Sequence, residues 1–174
     1  MMQRRAVPSV ADPGFEAFYL REVVAVTALG TALTGNRDTG AELAHDAMLR
    51  AFRDWPTVGA MDRPGAWARR VLINLAHDAH RRTLREQRAH RRVGADDVTR
   101  TPAEFDDRFW GAVRALPRRQ REAIALRYID DLPIAGIAEV MQVTAGTVKA
   151  SLFAARAALA VALGEEEDCD GDDR

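Results

Sequence analysis

The chain has 174 residues, 47% of them hydrophobic, which is enough for one ordinary domain or two small ones with modest cores and excludes a disordered polymer. Its single cysteine, Cys169, excludes internal disulfides and a cysteine-built zinc site and fits a reducing, cytoplasmic setting. The net charge of −1 hides an asymmetry: Glu165 to Arg174 hold seven acids against one arginine, a net of −6, which leaves +5 for residues 1–164 and points a basic body at a polyanion, most simply nucleic acid.

Residues 1–13 carry two arginines with no apolar core behind them, unlike a secretory signal, and no apolar run approaches the roughly 18 residues of a membrane span. Asp12-Pro13 can start a helix, because proline at the first helical position lacks an N–H that would have no partner anyway. Phe15, Phe18, Tyr19, Val23, Val26, Leu29 and Leu33 then recur at helical spacing until Gly35-Asn36-Arg37-Asp38 breaks it. Thr39-x-x-Glu42 reads as a capping box opening a second helix, with Ala44, Ala47, Met48, Ala51, Phe52 and Trp55 as its core stripe. Residues 56–65 read as a loop. A third helix starts near Pro64, carries Trp67, Val71, Leu72 and Leu75, and runs into Arg81, Arg82, Arg85, Arg88, Arg91 and Arg92. Trp67 reads as a core residue in preference to a stacking platform.

Residues 94–102 lack periodicity and read as a linker. Phe105, Phe109, Val113 and Leu116 form the next stripe, stopped by Pro117; Ile124, Leu126 and Tyr128 lie on the next helix, and Asp130-Asp131-Leu132-Pro133 turns the chain. Ile134, Ile137, Ala138 and Met141 make a short helix, Gln142-Val143-Thr144 a tight turn, and Thr144 caps a long helix to about Leu163. The expected fold is all-α: two small helical domains over 12–92 and 105–163, a flexible linker at 93–104, and a disordered acidic tail at 164–174.

Two helices joined by so short a turn match a helix-turn-helix. Ile137, Val143, Val148 and Leu152 would set the angle between them, and Ala138 would keep the approach close. Thr144, Thr147, Lys149 and Ser151 would project from the N-terminal end of the second helix, where base edges or phosphates can be reached with help from the positive helix terminus. An ordinary helical hairpin fits this segment too.

Taken together, the residues resemble a known family. Leu116-Pro117-Arg118-Arg119-Gln120-Arg121-Glu122, Leu126-Arg127-Tyr128, Ile137-Ala138-Glu139 and Gly146-Thr147-Val148-Lys149 resemble the minus-thirty-five-binding domain of bacterial sigma factors. Independently, residues 41–52 resemble the segment that binds the RNA polymerase clamp, and Trp67 with Asn74, Asp78, Arg81 and Arg82 resembles the minus-ten-reading helix. With no intervening domain, the resemblance is to the extracytoplasmic-function (ECF) group. The chain departs from the family at His45 (usually glutamine), Gly136 (commonly glutamate) and Gln142 (often the glycine of the turn). Ala150, Ser151 and Ala154 stand at positions often polar or arginine, so Lys149 and Arg156 are the recognition helix's only basic side chains.

The resemblance implies a non-enzymatic, cytoplasmic initiation factor without cofactors. Its partners would be core RNA polymerase, through the clamp of the largest subunit, and promoter DNA; an anti-sigma factor is compatible with it. Glu42, His45, Asp46 and Leu49 would meet the clamp, a mixed acidic and apolar face suiting protein better than phosphate. Asn74, Asp78, Arg81 and Arg82, with the 56–65 loop, would engage the minus-ten element and hold an unstacked base. Thr144, Thr147, Lys149, Ser151 and Arg156 would engage the minus-thirty-five element.

Two other readings remain at this point. His77 and His80 lie three apart on a helix, a spacing compatible with metal binding, but only the distant His45 or His90 could add ligands. A helix-turn-helix regulator with a helical dimerisation or sensor domain explains the second half equally well but leaves the first-half motifs as coincidence. The tail, following directly on the last helix, either competes with phosphates for basic side chains or only solubilises the chain.

Overall fold

The computed structural model describes residues 12–93 and 107–164, which form eight helices and, among the described residues, no strand. They are α1 (Pro13–Thr34), α2 (Arg37–Arg53), α3 (Trp55–Val58), α4 (Pro64–Val93), α5 (Asp107–Ala115), α6 (Arg118–Tyr128), α7 (Ile134–Met141) and α8 (Ala145–Leu163). Except for Val93, which ends α4, the linker expected at 93–104 lies outside the described residues, as do Phe105 and the acidic tail beyond Gly164.

Local chemistry places the first helices. Asp12 caps α1 with Oδ1, which accepts from the Gly14 and Phe15 amides at 2.9 and 3.2 Å, and Pro13 follows in the first turn. Gly35 ends α1 in the left-handed region (φ 71°), where a glycine carries no Cβ penalty. The next cap is Asn36, whose Oδ1 accepts from the Thr39 amide at 2.8 Å, so α2 begins two residues before the expected Thr39 capping box. An extended Asn36 backbone offers its carboxamide to the first turn before Thr39 can act. The segment expected as a loop after Trp55 contains the short α3 in its first residues, and Val58 is fully buried there. Phe15, Phe52 and Trp55 lock these ends together edge to face, with centroids 5.0 and 5.4 Å apart.

α1 and α2 cross at Gly30 and Gly40. A Cβ on Gly30 would lie 2.6 Å from the Gly40 carbonyl oxygen, so the helices touch backbone to backbone. In the second half, Ile137, Val148 and Leu152 are buried and Val143 half-buried, so the expected helix-turn-helix core is formed. Tyr128, on the same helix as Ile124 and Leu126, is exposed, with its hydroxyl accepting from Arg156 Nε at 2.9 Å; a phenol can pack its ring beside α8 while keeping its oxygen wet.

The two halves are not separate bodies. α1 packs on α5 and α6, α4 packs on α7, and the buried side chains of both halves form one continuous apolar cluster. Fully burying each of its larger members, such as Phe18, Leu72 and Leu126, contributes about 1.5–3 kcal/mol. Two helices, α1 and α8, do reach the length and apolar composition of a membrane span, although polar residues interrupt both. Both give residues to this cluster: Phe18, Val26 and Leu29 from α1, and Val148, Leu152 and Leu159 from α8.

The turn of the helix-turn-helix is a Schellman closure. The Val143 amide donates to the Ala138 carbonyl at 3.0 Å and the Gln142 amide to Glu139 at 3.3 Å, with Gln142 held at φ 54°. A residue with a Cβ pays about 1–2 kcal/mol there. Gln142→Gly relieves this at the cost of unfolded-chain freedom, so a net gain of about 0.5–1 kcal/mol is expected, read as a higher urea midpoint at unchanged slope. An unchanged or lower midpoint would mean that Gln142 is not strained.

Candidate functional site

Three candidate surfaces follow from this packing. On α2, Ala44, Ala47, Met48 and Ala51 face inward, so Glu42, His45 and Asp46 stand exposed on the opposite side with Leu49 half-buried at their edge. The fold therefore brings these four residues onto one accessible face. Within one helix, residues three and four apart are neighbours.

The second surface lies on α4. Its buried line is Ala68, Leu72, Ile73, Leu75 and Ala76, with Trp67 half-buried against the core, as its register implied. Asn74, Asp78, Arg81 and Arg82 point away from that line and are exposed. Asp78 accepts from Arg81 Nη2, and that hydrogen bond, more than the opposing desolvation, holds its carboxyl below the usual range. Arg82 Nε lies 4.0 Å from Glu86. Asn74, Asp78 and Arg81 look into a cleft of about 670 Å³ whose other wall belongs to the second half: Arg114, Leu116, Arg118 and Arg121, with His77 and His80 completing the α4 side. Arg82 does not line it.

The third surface is α8. Thr144 caps the helix with Oγ1, accepting from the Thr147 amide at 3.1 Å, and the two hydroxyls lie 2.9 Å apart. Both hydroxyls are thus engaged in the helix start. Lys149 and Arg156 are exposed, whereas Ser151 is half-buried and turned from the open face, because Val148, Leu152 and Ala155 fix the inward side. Arg156 is tethered: besides its bond to the Tyr128 hydroxyl, its guanidinium lies 5.8 Å from that ring's centre. The open face instead presents Ala150 and Phe153, the latter 76% exposed. No carboxylate occurs between Thr144 and Leu163.

The sequence reading missed the polar seam between the halves. Arg69, buried on α4, donates Nη2 to Asp130 Oδ1 at 2.8 Å, a second bond from Nε to the other Asp130 oxygen, and Nη1 to Glu22 at 2.7 Å and to the Gly65 carbonyl at 3.1 Å. Two carboxylates beside it raise the Arg69 guanidinium further above its ordinary value, against the desolvation that lowers it. Nearer the cleft, Glu122 of α6 meets His77 Nε2 at 2.6 Å and accepts from Arg118 Nε at 2.8 Å. Arg63 and Glu139 pair at 2.6 Å on the outside. One signal could have exposed the first two. Arg69 falls in the register of Leu72 and Ala76, and Glu122 in that of Leu126, and a charge at a core position implies a partner. With His77 engaged by Glu122, the His77/His80 pair gathers no third ligand: among the described residues no cluster of three metal-ligating side chains exists.

Comparison with known proteins follows this geometry. Residues 18–86 match the family model of Sigma-70 region 2, and residues 106–159 match that of Sigma-70, region 4. An uncharacterised protein of Rhizobium meliloti is 30% identical over 141 residues, which are 73% of this chain and 33% of that protein, so the chain spans about a third of that relative. The ECF RNA polymerase sigma factor EcfG of Rhodopseudomonas palustris is 27% identical over 149 residues, 83% of this chain and 82% of that one. In fold, the chain is similar to the sigma factor RpoE of Bartonella quintana, solved in complex with the anti-sigma factor NepR. The TM-score is 0.71 at 24% identity, covering 87% of this chain and 98% of that one.

The seam carries a pH dependence of calculable sign. Burial raises the Glu122 carboxyl, but the hydrogen bonds from His77 and Arg118 outweigh it and hold it below its ordinary 4.5. The unfolded chain therefore takes up the proton first: the contribution is whole above about 4.5 and is lost as pH falls through the folded value. Glu22, lowered by Arg69 and Arg21 against burial, adds to the same trend. Glu122→Gln should lose about 1–3 kcal/mol at pH 7 and show a shallower decline in urea midpoint between pH 6 and 3. Parallel pH curves for the two proteins would remove Glu122 from the seam.

Proposed function

This chain belongs to the sigma-70 family of RNA polymerase sigma factors, in its extracytoplasmic-function group, and on that premise we propose that it directs core enzyme to promoters through three surfaces divided between its halves. The observation that carries the reading is the ordered pair of family matches, region 2 then region 4, each on its own helical half. The family consists of initiation factors that carry out no catalytic step, and its ECF members are soluble transcription factors; the cytoplasm is the compartment we assign. Core polymerase and promoter DNA are the partners, with an anti-sigma factor as a third.

In this reading, the exposed α2 face of Glu42, His45 and Asp46, edged by Leu49, lies on the clamp of the largest polymerase subunit. Opposite-charge pairing at an exposed rim steers encounter, and the half-buried leucine supplies apolar contact. Asn74, Asp78, Arg81 and Arg82 on α4 read and hold the melted minus-ten strand, hydrogen-bonding from Asn74 and the arginines to bases and phosphates. Because the first three of these look into the inter-half cleft, DNA reaches them only when the second half moves aside. Polymerase binding, by fixing the two halves apart, turns two weak DNA contacts into one strong one.

For α8, the absence of carboxylates favours a polyanion over any acidic partner. Lys149 serves as a phosphate contact. Thr144 and Thr147 offer hydroxyls at the helix start beside exposed backbone amides. Ser151 and Arg156 have the weaker geometric support, one turned inward and the other held by Tyr128.

Run-off transcription with core enzyme and genomic fragments tests the whole: specific transcripts are expected only with both components present, and their absence would overturn the function. Two variants divide it. Asp46→Arg with Leu49→Ala should abolish core binding in a pull-down while leaving helicity by circular dichroism intact; wild-type capture would sink the clamp assignment. Lys149→Ala should weaken minus-thirty-five binding across sequences and reduce the slope of log affinity against log salt by about 1. An unchanged slope would take α8 out of the groove.

A further inference from the structure

Arg156 on α8 is held by a neutral partner. Its Nε donates to the Tyr128 hydroxyl at 2.9 Å, and its guanidinium lies 5.8 Å from the centre of that ring. Tyr128 is the last residue of α6, which packs on α8, so the contact joins two helices of the second half. By contrast, Arg21, Arg63, Arg69, Arg81 and Arg118 each meet a carboxylate. A carboxylate cancels the charge it fixes, whereas a phenol fixes the side chain and leaves the charge whole. α8 adds no acid of its own between Thr144 and Leu163. Among the described residues, nothing accepts from the Arg156 Nη atoms.

The tether also selects which edge of the guanidinium is presented. With Nε taken by the phenol, the pair of Nη groups remains, a planar fork that matches two oxygens of a phosphate. An exposed arginine otherwise spreads over many rotamers and loses that freedom on binding. A hydrogen bond and a ring face on one partner remove part of that loss in advance. The unit is reachable, since Arg156 is exposed and Tyr128 is 57% exposed. Arg156 stands seven residues after Lys149, which puts the two cations within about 20° of one line along α8 and about 10.5 Å apart. That separation is close to the major groove's width of about 12 Å, so the two can reach phosphates of opposite strands. We propose that Tyr128 is a positioning residue that aims the Arg156 guanidinium at a phosphate of duplex DNA while α8 lies in the groove. The pair reads no base, so it adds affinity and fixes register without adding sequence preference. This role rests on the placement of α8 on DNA proposed above, and gives the end of α6 a part in it.

Duplex affinity of the full-length chain decides it, measured by fluorescence anisotropy on a labelled duplex of mixed sequence from about 0.05 to 0.2 M salt. Arg156→Ala should reduce the slope of log affinity against log salt by about 1, as one lost phosphate contact does. Tyr128→Phe keeps the ring and removes only the acceptor, and should weaken binding about three- to tenfold at the low-salt end. Placed on Arg156→Ala, Tyr128→Phe should change nothing further, because no guanidinium is left to aim. Both side chains are exposed, and circular dichroism should show unaltered helicity in each variant. An unchanged slope in Arg156→Ala, or wild-type affinity in Tyr128→Phe, would overturn the proposal. So would a Tyr128→Phe loss of equal size with Arg156 present and absent, the behaviour of a residue that only pins α6 to α8. Lys149→Ala in the same assay keeps the two readings apart. A slope reduced there but not in Arg156→Ala leaves α8 in the groove and removes the pair; slopes unchanged in both remove α8 from DNA altogether.

Discussion

A guanidinium cannot give up its proton in a protein, so burying Arg69 obliges the chain to carry carboxylates to it. Much of the architecture answers that constraint. Glu22 comes from α1, Asp130 from the turn between α6 and α7, and the Gly65 carbonyl from the start of α4 itself. Gly65 is also the space the group occupies, since a Cβ there would lie 2.8 Å from Arg69 Nη1 and 3.0 Å from Glu22. Asp131, in the left-handed region at φ 47°, turns the chain beside Asp130, whose side chain is 1% exposed. Net stabilisation from such a cluster is small, because desolvation offsets attraction; its effect is to make one arrangement of the halves far better than its neighbours, since any slip leaves a buried charge unpaired.

That arrangement decides what the surfaces can do. With the Arg69 cluster at one point and Glu122 with His77 and Arg118 at another, α4 is held facing α5 and α6. The arginines of both elements then converge on one cleft instead of spreading over solvent. Polar, charged seams of this kind separate more readily than apolar ones, since water and salt can take over their hydrogen bonds. A junction built this way is specific when closed and cheap to wet when opened.

Charge is segregated elsewhere to the same end. The α2 face mixes carboxylates, a histidine and a leucine, while α8 carries cations and no acid at all. A carboxylate beside a phosphate backbone costs binding energy, whereas at a protein rim it selects among partners. The two faces are thus matched to different chemistries before any contact is made.

Except for the short α3 and the start of α2, the sequence by itself determined the helices, their caps at Asp12 and Thr144, the helix-turn-helix core of Ile137, Val143, Val148 and Leu152, and the exposed faces of α2 and α4. These depend on interactions within a few residues or on a repeat of 3.6, and both are written locally. Family resemblance rested on the same local runs. What only the tertiary structure decided is how helices far apart in sequence meet. Gly30 and Gly40 were ordinary helix residues until two backbones crossed there, and Ser151 is half-buried because its neighbours Val148, Leu152 and Ala155 are the ones packed inward. The union of the halves depended on a pair separated by 61 residues, Arg69 with Asp130. A charge at a core position announces that a partner is needed, but the partner's identity is a property of the packed chain, because only the closed fold brings the candidates within hydrogen-bond reach.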